Sequence, residues 1–273
     1  MRWEPAQYLK FAGHRLRPAV DLLNRIDADP RTIADLGAGA GNVTRLLQAR
    51  WPGAHITGVD TSPEMLARAA ESLPQASWEC ADLASWRPSQ PIDLLYSNAA
   101  LHWVDDHPTL FPALFTMVNA GGTVAVQMPN NFGAPSHTAI ADVVASGPWT
   151  STLQPLLRTP PVQRPSVYFD LLAPVASSLD IWETEYVHVL DGDRPVLEWV
   201  KGTWLRPLLN ALDDAQRAEF ESRYAELVGA AYPRRADGRT LFPFRRLFIV
   251  ATRSRAAACD VPASTITLQS THQ

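Results

Sequence analysis

The sequence predicts a doubly wound α/β fold, a mostly parallel sheet with helices on both faces, plus a helical cover inserted late in the chain. Three observations predict it. In the first half, short apolar runs alternate with segments of helical period, and parallel strands require such crossovers. The strand-like runs are nearly continuous in apolar residues, as strands covered on both faces are. A glycine cluster joins the first strand to its helix, where a tight turn and close backbone approach are needed.

The elements follow in order. Residues 15–26 place Val20, Leu22, Leu23 and Ile26 on one helical stripe. Thr32-Ile-Ala-Asp-Leu36 is the first strand and runs into the glycines. A helix over 42–50 carries Val43, Leu46 and Leu47, and Pro52 ends it. His55-Ile-Thr-Gly-Val-Asp60 is the second strand. Ser62-Pro63 starts the next helix, serine as N-cap and proline at its first position, with Met65, Leu66 and Ala69 inward. Ser77–Cys80 and Ile92–Ser97 read as strands, 107–118 as a helix broken by Gly121-Gly122, and Thr123–Gln127 as a fifth strand. The second half is less regular. It holds a proline-rich stretch at 129–165 with a helical signal at 136–146, a helix over 166–178 and an alternating strand over 181–189. Two or three helices over 195–231 and a final strand, Leu247–Thr252, complete it.

One domain over 1–253 is expected. Its core spans about 15–128, 166–190 and 240–252, its cover about 129–165 and 191–239, and a poorly ordered polar tail 254–273 follows. The 273 residues, 46% hydrophobic and 19% charged, suffice for a sizeable core. A net charge of −4 with no basic stripe argues against a nucleic-acid binder. No apolar run approaches the ~20 residues that span a bilayer, and the N-terminus lacks the apolar core of a signal peptide. Cys80 and Cys259 are far apart, and the seven histidines show no ligand spacing. Neither a disulfide nor a metal is expected, and a cytoplasmic location fits. The oligomeric state is not legible.

Three features converge on one ligand. Asp35-Leu-Gly-Ala-Gly-Ala-Gly41 lies between a strand and a helix. Asp60 ends the next strand, where an acid accepts hydrogen bonds from ribose hydroxyls. Ala81-Asp82-Leu83 follows the third strand, placing an acid and a backbone N–H where adenine is read. A dinucleotide pattern requires glycine at position 42, and the chain has Asn42. Asp35 would also repel a pyrophosphate. S-adenosylmethionine has no phosphate and carries a sulfonium and an ammonium, which acids and carbonyls suit.

With Asp93-Leu-Leu-Tyr-Ser-Asn-Ala-Ala-Leu-His-Trp103, this set resembles the successive motifs of class I S-adenosylmethionine methyltransferases over about residues 30–130. The resemblance implies their fold, including an antiparallel last strand. It sets Asn98, Ala99 and His102 beside the methionine part of the cofactor. The candidate cofactor set is Asp35, Gly37, Ala38, Gly39, Asp60, Thr61, Met65, Ala81, Asp82, Leu83, Asn98 and Ala99.

A narrower resemblance reaches residue 252. Trp3-Glu-Pro-Ala-Gln-Tyr8, Arg15–Leu23, Asn98–Trp103, Val126-Gln-Met-Pro-Asn130, Asp180-Ile-Trp182, Trp199-Val200, Leu205-Arg-Pro207 and Arg246–Ala251 are similar to the trans-aconitate 2-methyltransferase family. That resemblance implies methyl transfer to a carboxylate of trans-aconitate. A carboxylate, with a reference pKa near ~4, is already an ionised nucleophile at neutral pH. No general base is then required, and His102 and Asn98 are positioning groups. A tricarboxylate needs cations, and arginine meets it bidentately. Tyr8, Arg15, His102, Trp199, Arg206 and Arg246 are the candidate acceptor residues, with Arg17, Arg245, His14, His137, Tyr168 and Trp204 behind them. Two alternatives stay open: another small acid or quinone-like acceptor, and a cofactor-binding protein without catalysis. Two or more arginines or histidines around the methyl position favour the carboxylate reading, whereas an apolar or closed cavity favours the last.

Overall fold

The computed structural model describes residues 12–255, with side chains from Leu16 onward. Seven strands form one sheet: β1 (Thr32–Leu36), β2 (His55–Asp60), β3 (Ser77–Cys80), β4 (Ile92–Asn98), β5 (Val118–Pro129), β6 (Ala176–Leu190) and β7 (Thr240–Arg253). Their spatial order is β3-β2-β1-β4-β5-β7-β6. The pairs among β1 to β5 are parallel, and β7 runs antiparallel to both β5 and β6. The strand order reverses between β1 and β4. The carboxyl ends of those two strands therefore diverge into a crevice, the usual ligand position in such sheets.

Two helical layers cover the sheet. On one face, Leu22 and Leu23 of α1 (Ala12–Asn24), Ile26 just beyond it and Leu47 of α2 (Asn42–Arg50) pack on Ile33, Ile56, Leu94, Tyr96, Ala125 and Phe248. The Tyr96 hydroxyl donates to the Ala19 carbonyl at 2.7 Å and pins α1 to the sheet. Helix α3 (Pro63–Ser72) buries Met65, Leu66 and Ala69, and the Ser62 hydroxyl caps it by accepting from Met65 N–H at 3.3 Å. On the other face, α4 (His107–Thr116) and α7 (Pro165–Leu172) bring Phe111, Leu114, Tyr168 and Leu172 onto Leu95, Val126 and Ile249. The helices α5 (Pro135–Ser146), α6 (Thr150–Leu153), α8 (Pro195–Lys201), α9 (Arg206–Leu209) and α10 (Asp214–Ala231) share a separate apolar cluster with Leu190, Phe242 and Phe244.

Several elements differ from expectation for identifiable reasons. Gly121-Gly122 does not interrupt the chain between helix and strand. Strand β5 already begins at Val118 opposite Ile92, and a register shift beside Ile92 and Leu94 absorbs the glycines. The helix expected over 166–178 stops at Leu172, because Pro174 has no N–H to continue the hydrogen-bond ladder and its ring crowds the carbonyl one turn back. Residues 176–180 join β6 instead. Strand β7 starts seven residues early, at Thr240, because β6 pairs with it along its whole length, Pro243 included. Val20 faces outward at 37% exposure. The short α6 had no sequence signal. Residues 256–273 of the expected tail lie outside the described residues, while Ser254 N–H donates to Val175 O at 3.0 Å.

Candidate functional site

The glycine turn is fixed from below. Gly37 and Ala38 N–H both donate to the Val59 carbonyl, at 2.8 and 3.1 Å. Gly37 has φ +80°, and a Cβ built there would stand 2.1 Å from the Ala100 Cβ. Only glycine therefore lets the turn lie against the segment following β4. Gly41 has φ +78° and caps α2, and a Cβ there would meet Trp78 at 3.0 Å.

Two acids flank this turn. Asp60, half-buried at the end of β2, accepts from Gly39 N–H through Oδ2 and from Ser62 N–H through Oδ1, each at 2.9 Å. Both carboxylate oxygens keep further lone pairs. Asp35 is fully buried at the end of β1 and accepts from Thr44 Oγ1 at 2.6 Å. Burial pushes its carboxyl up to about 7, the Thr44 hydroxyl opposes this, and the Asp60 charge adds to the rise. A cationic ligand at this place would favour the ionised form of Asp35. Beyond β3, Asp82 is exposed, and its Oδ1 accepts from Ala84 N–H at 2.9 Å. Met65, Leu83 and Ala38 are buried, Ala81 is half-buried and Thr61 is exposed. At the end of β4, the Asn98 Oδ1 is buried without a hydrogen-bond partner. Ala99 takes φ +53°, a conformation non-glycine residues rarely adopt, and its N–H donates to Gln127 O at 2.9 Å. The predicted cofactor residues thus sit at the carboxyl ends of β1 to β4. Paired acids, a glycine turn and an orphaned buried oxygen fit a ligand bearing hydroxyls and an ammonium, as S-adenosylmethionine does.

Next to Ala99 opens a cleft with an empty volume of about 660 Å³, part of it open to solvent. Its polar lining is His102, His137, Thr203 and Arg246. Trp103, Trp199, Trp204 and Phe244 supply most of the apolar lining. Burial lowers His102 to about 3, and the Arg246 charge pushes the same way. Burial lowers His137 to about 4. Both imidazoles are therefore neutral at pH 7, and the buried Arg246 carries the positive charge of the polar lining. Its guanidinium carbon lies 4.8 Å from the Phe244 ring centre. Trp103 stacks on Trp204 at 5.5 Å, and Phe132 and His137 meet Trp204 edge-on at 5.0 and 5.8 Å.

The structure separates the acceptor candidates. His102, His137, Trp199, Trp204 and Arg246 come together in the cleft, although they lie on four distant segments. Arg206 is not among the lining residues. Its turn buries Leu205, Leu208 and Leu209, which leaves Arg206 on the half-exposed side. Tyr168 lies within the core instead, where its hydroxyl accepts from Gln163 N–H at 3.0 Å and meets His107 Nδ1 at 2.6 Å. Arg17 lies over the Tyr186 ring at 5.1 Å, and Arg245 is exposed on the opposite side of β7 from Arg246. Tyr8 and the His14 and Arg15 side chains lie outside the described residues. Trp103, Phe132 and Phe244 were missed. Phe244 was findable, because it stands two residues before Arg246 on the same strand face. Among the described residues no group of three or more His, Cys, Asp or Glu side chains is placed to hold a metal, and no helix is long and apolar enough to cross a membrane.

A family profile described as a methyltransferase domain matches residues 33–122. The trans-aconitate 2-methyltransferase of Azoarcus sp. (strain BH72) is 46% identical over 92% of this chain and 99% of its own length. The protein of the same name from Mycolicibacterium gilvum is 47% identical over 91% and 98%. Among solved structures, the YcgJ protein of Bacillus subtilis aligns with a TM-score of 0.58 at 13% identity, covering 89% of this chain and 100% of its own. The Haemonchus contortus phosphoethanolamine N-methyltransferase 2, solved with S-adenosylhomocysteine, aligns with a TM-score of 0.52 at 15% identity, covering 87% and 52%.

Proposed function

The chain belongs to the trans-aconitate 2-methyltransferase family of S-adenosylmethionine-dependent enzymes, and from that premise we propose that it converts trans-aconitate to a monomethyl ester. The observation that carries the acceptor reading is the cleft beside Ala99, where His102, His137 and Arg246 converge. Three groups able to donate to carboxylates line one concavity, which favours the carboxylate reading.

When bound, S-adenosylmethionine supplies an electrophilic methyl group on a sulfonium. Asp60 accepts from its ribose hydroxyls, and Asp82 with the Leu83 N–H serves the adenine. Asp35, the turn at Gly37–Gly39, Asn98 and Ala99 serve the methionine end. Arg246 holds a carboxylate of the acceptor, and neutral His102 and His137 donate hydrogen bonds to it. The attacking carboxylate is ionised at pH 7, so no side chain removes a proton. Positioning then supplies catalysis, and held geometry of this kind is worth roughly 7–11 kcal/mol. Trp103 and Trp204, stacked on one another, line the cleft and supply apolar surface beside the acceptor. The five cover helices and the seven-stranded core form one methyltransferase domain in this reading. A cytoplasmic location suits the free, exposed Cys80 thiol.

The test uses the full chain, methyl-labelled cofactor and a panel of di- and tricarboxylates with quinone-like aromatics beside them. Label in an ester of trans-aconitate, with weaker turnover of dicarboxylates, is the expected result. Good turnover of another acceptor with none of trans-aconitate overturns the substrate assignment.

A further inference from the structure

Gln127 belongs to none of the roles above, yet its side chain is the most anomalous in the sheet. The residue is 0% exposed, and neither Oε1 nor Nε2 has a hydrogen-bond partner. Alternation along β5 places Gln127 on the same face as Ala125, which packs in the α1 layer. A buried amide in an apolar layer costs free energy unless something pairs with it. An apolar residue of similar size would avoid that cost.

Its surroundings say what pairs with it. Gln127 is in register with Asn98 on β4, so both amides leave the same face of the sheet side by side. The Asn98 Oδ1 is likewise buried and unpartnered. Two residues further along that face stands Pro129, which lines the cleft and pairs in register with Arg246. Gln127 does not itself line the cleft; it lies buried one strand step below Pro129 and Arg246, which do, and so forms the layer under its floor. It stands on the β7 side of β4, away from the glycine turn on the β1 side. That placement assigns it to the acceptor and not to the cofactor.

We propose that Gln127 is an acceptor-binding residue whose amide N–H donates to a carboxylate of the bound acid at the floor of the cleft. The inference rests on the functional reading above. On binding, Asn98 Nδ2 turns to the Gln127 oxygen and completes the pair. A carboxylate is then held between the Arg246 guanidinium and a neutral amide. Acids whose second carboxylate falls short of this floor are selected against.

The test compares Gln127→Met, which keeps size and removes both polar atoms, with Gln127→Glu, which places a negative charge at the floor. Wild type is assayed first on the acid panel. The Met variant is expected to raise KM for trans-aconitate about tenfold, the loss expected for one hydrogen bond to a charged group. Its melting temperature without acceptor should equal or exceed that of wild type. Its affinity for S-adenosylhomocysteine by calorimetry should stay within about twofold. The Glu variant should raise KM further. An unchanged KM in a folded Met variant overturns the proposal, as does an equal loss of S-adenosylhomocysteine affinity, which would assign the amide to the cofactor. If wild type prefers another carboxylic acid, the trans-aconitate reading fails while the same comparison with that acid decides the role of Gln127. Turnover only of acceptors lacking a carboxylate overturns both.

Discussion

Replacing Gly37 by alanine tests the account of the glycine turn most directly. Two costs follow from the geometry. With φ +80°, an alanine there pays about 1–2 kcal/mol for the left-handed conformation. Its Cβ would also stand 2.1 Å from the Ala100 Cβ, far inside contact distance. The turn or the segment after β4 must then move, and overpacking of this kind costs about 1–3 kcal/mol. A central sum is about 3 kcal/mol, which for a chain of this size lowers Tm by about 6–12 °C. Movement at Ala100 also displaces Ala99, so affinity for S-adenosylhomocysteine should fall with stability. Gly53→Ala is the control, because nothing lies within 4 Å of a Cβ built there and its φ is not positive. That variant should stay within about 0.5 kcal/mol of wild type. The assay is calorimetric melting of both variants without ligand, then titration with S-adenosylhomocysteine. Melting temperatures for the two variants within about 1 °C of each other would refute the reasoning.

Three more outcomes are expected. Asp60→Ala removes the acceptor of two backbone N–H groups and of the ribose hydroxyls; titration calorimetry should show a loss of about 10- to 100-fold in S-adenosylhomocysteine affinity, and an unchanged affinity would move the ribose elsewhere. His102 and His137 sit near 3 and 4 in the fold, below the ordinary 6.5, so their contribution to stability is present above pH 6.5 and lost as pH falls. Asp35, raised to about 7, works in the opposite sense, since its contribution is lost as pH rises from about 4 to 7. Urea melts at pH 7 and pH 5 should therefore show wild type losing about 2 kcal/mol more per histidine than a His102→Gln, His137→Gln variant, and parallel losses would contradict the buried neutral imidazoles. Because Asp35 is about half protonated at pH 7, binding of the cationic cofactor should release about half a proton, read from calorimetry in buffers of different ionisation enthalpy; no buffer dependence would place the ammonium away from Asp35.

The sequence carried local information well and distant information poorly. Strands β1, β2 and β3 were legible to the residue, because each is a short apolar run between turn residues. The placement of Asp35, Asp60 and Asp82 at one sheet edge was legible for a related reason: in a parallel sheet the ends of successive strands come to one edge, so order along the chain gives position in space. The β6–β7 pair was only half legible. Pro243, Arg245 and Arg246 interrupt its apolar pattern, and pairing between segments far apart in the chain carries the strand past them. The acceptor cleft is of that second kind. His102 was findable from its place after β4, whereas His137, Trp204 and Phe244 meet only once the cover has folded. Gln127 looked like one more strand residue, and only its burial without partners distinguishes it.

Strand β7 carries residues of the core clusters and of the cover cluster at once, with Phe248 lying in the α1 layer. Leu247, Ile249 and Ala251 pack in the core, Phe242 and Phe244 pack among the cover helices, and Arg246 stands at the boundary. The cover is thus not hung on a hinge loop but built on the same hydrogen-bonded rail as the sheet. Motion of the cover relative to the sheet would therefore have to strain that rail, where Phe242 and Phe244 anchor the cover cluster. The two clusters should also melt in one cooperative transition, and amide exchange in α10 should be as slow as in the sheet.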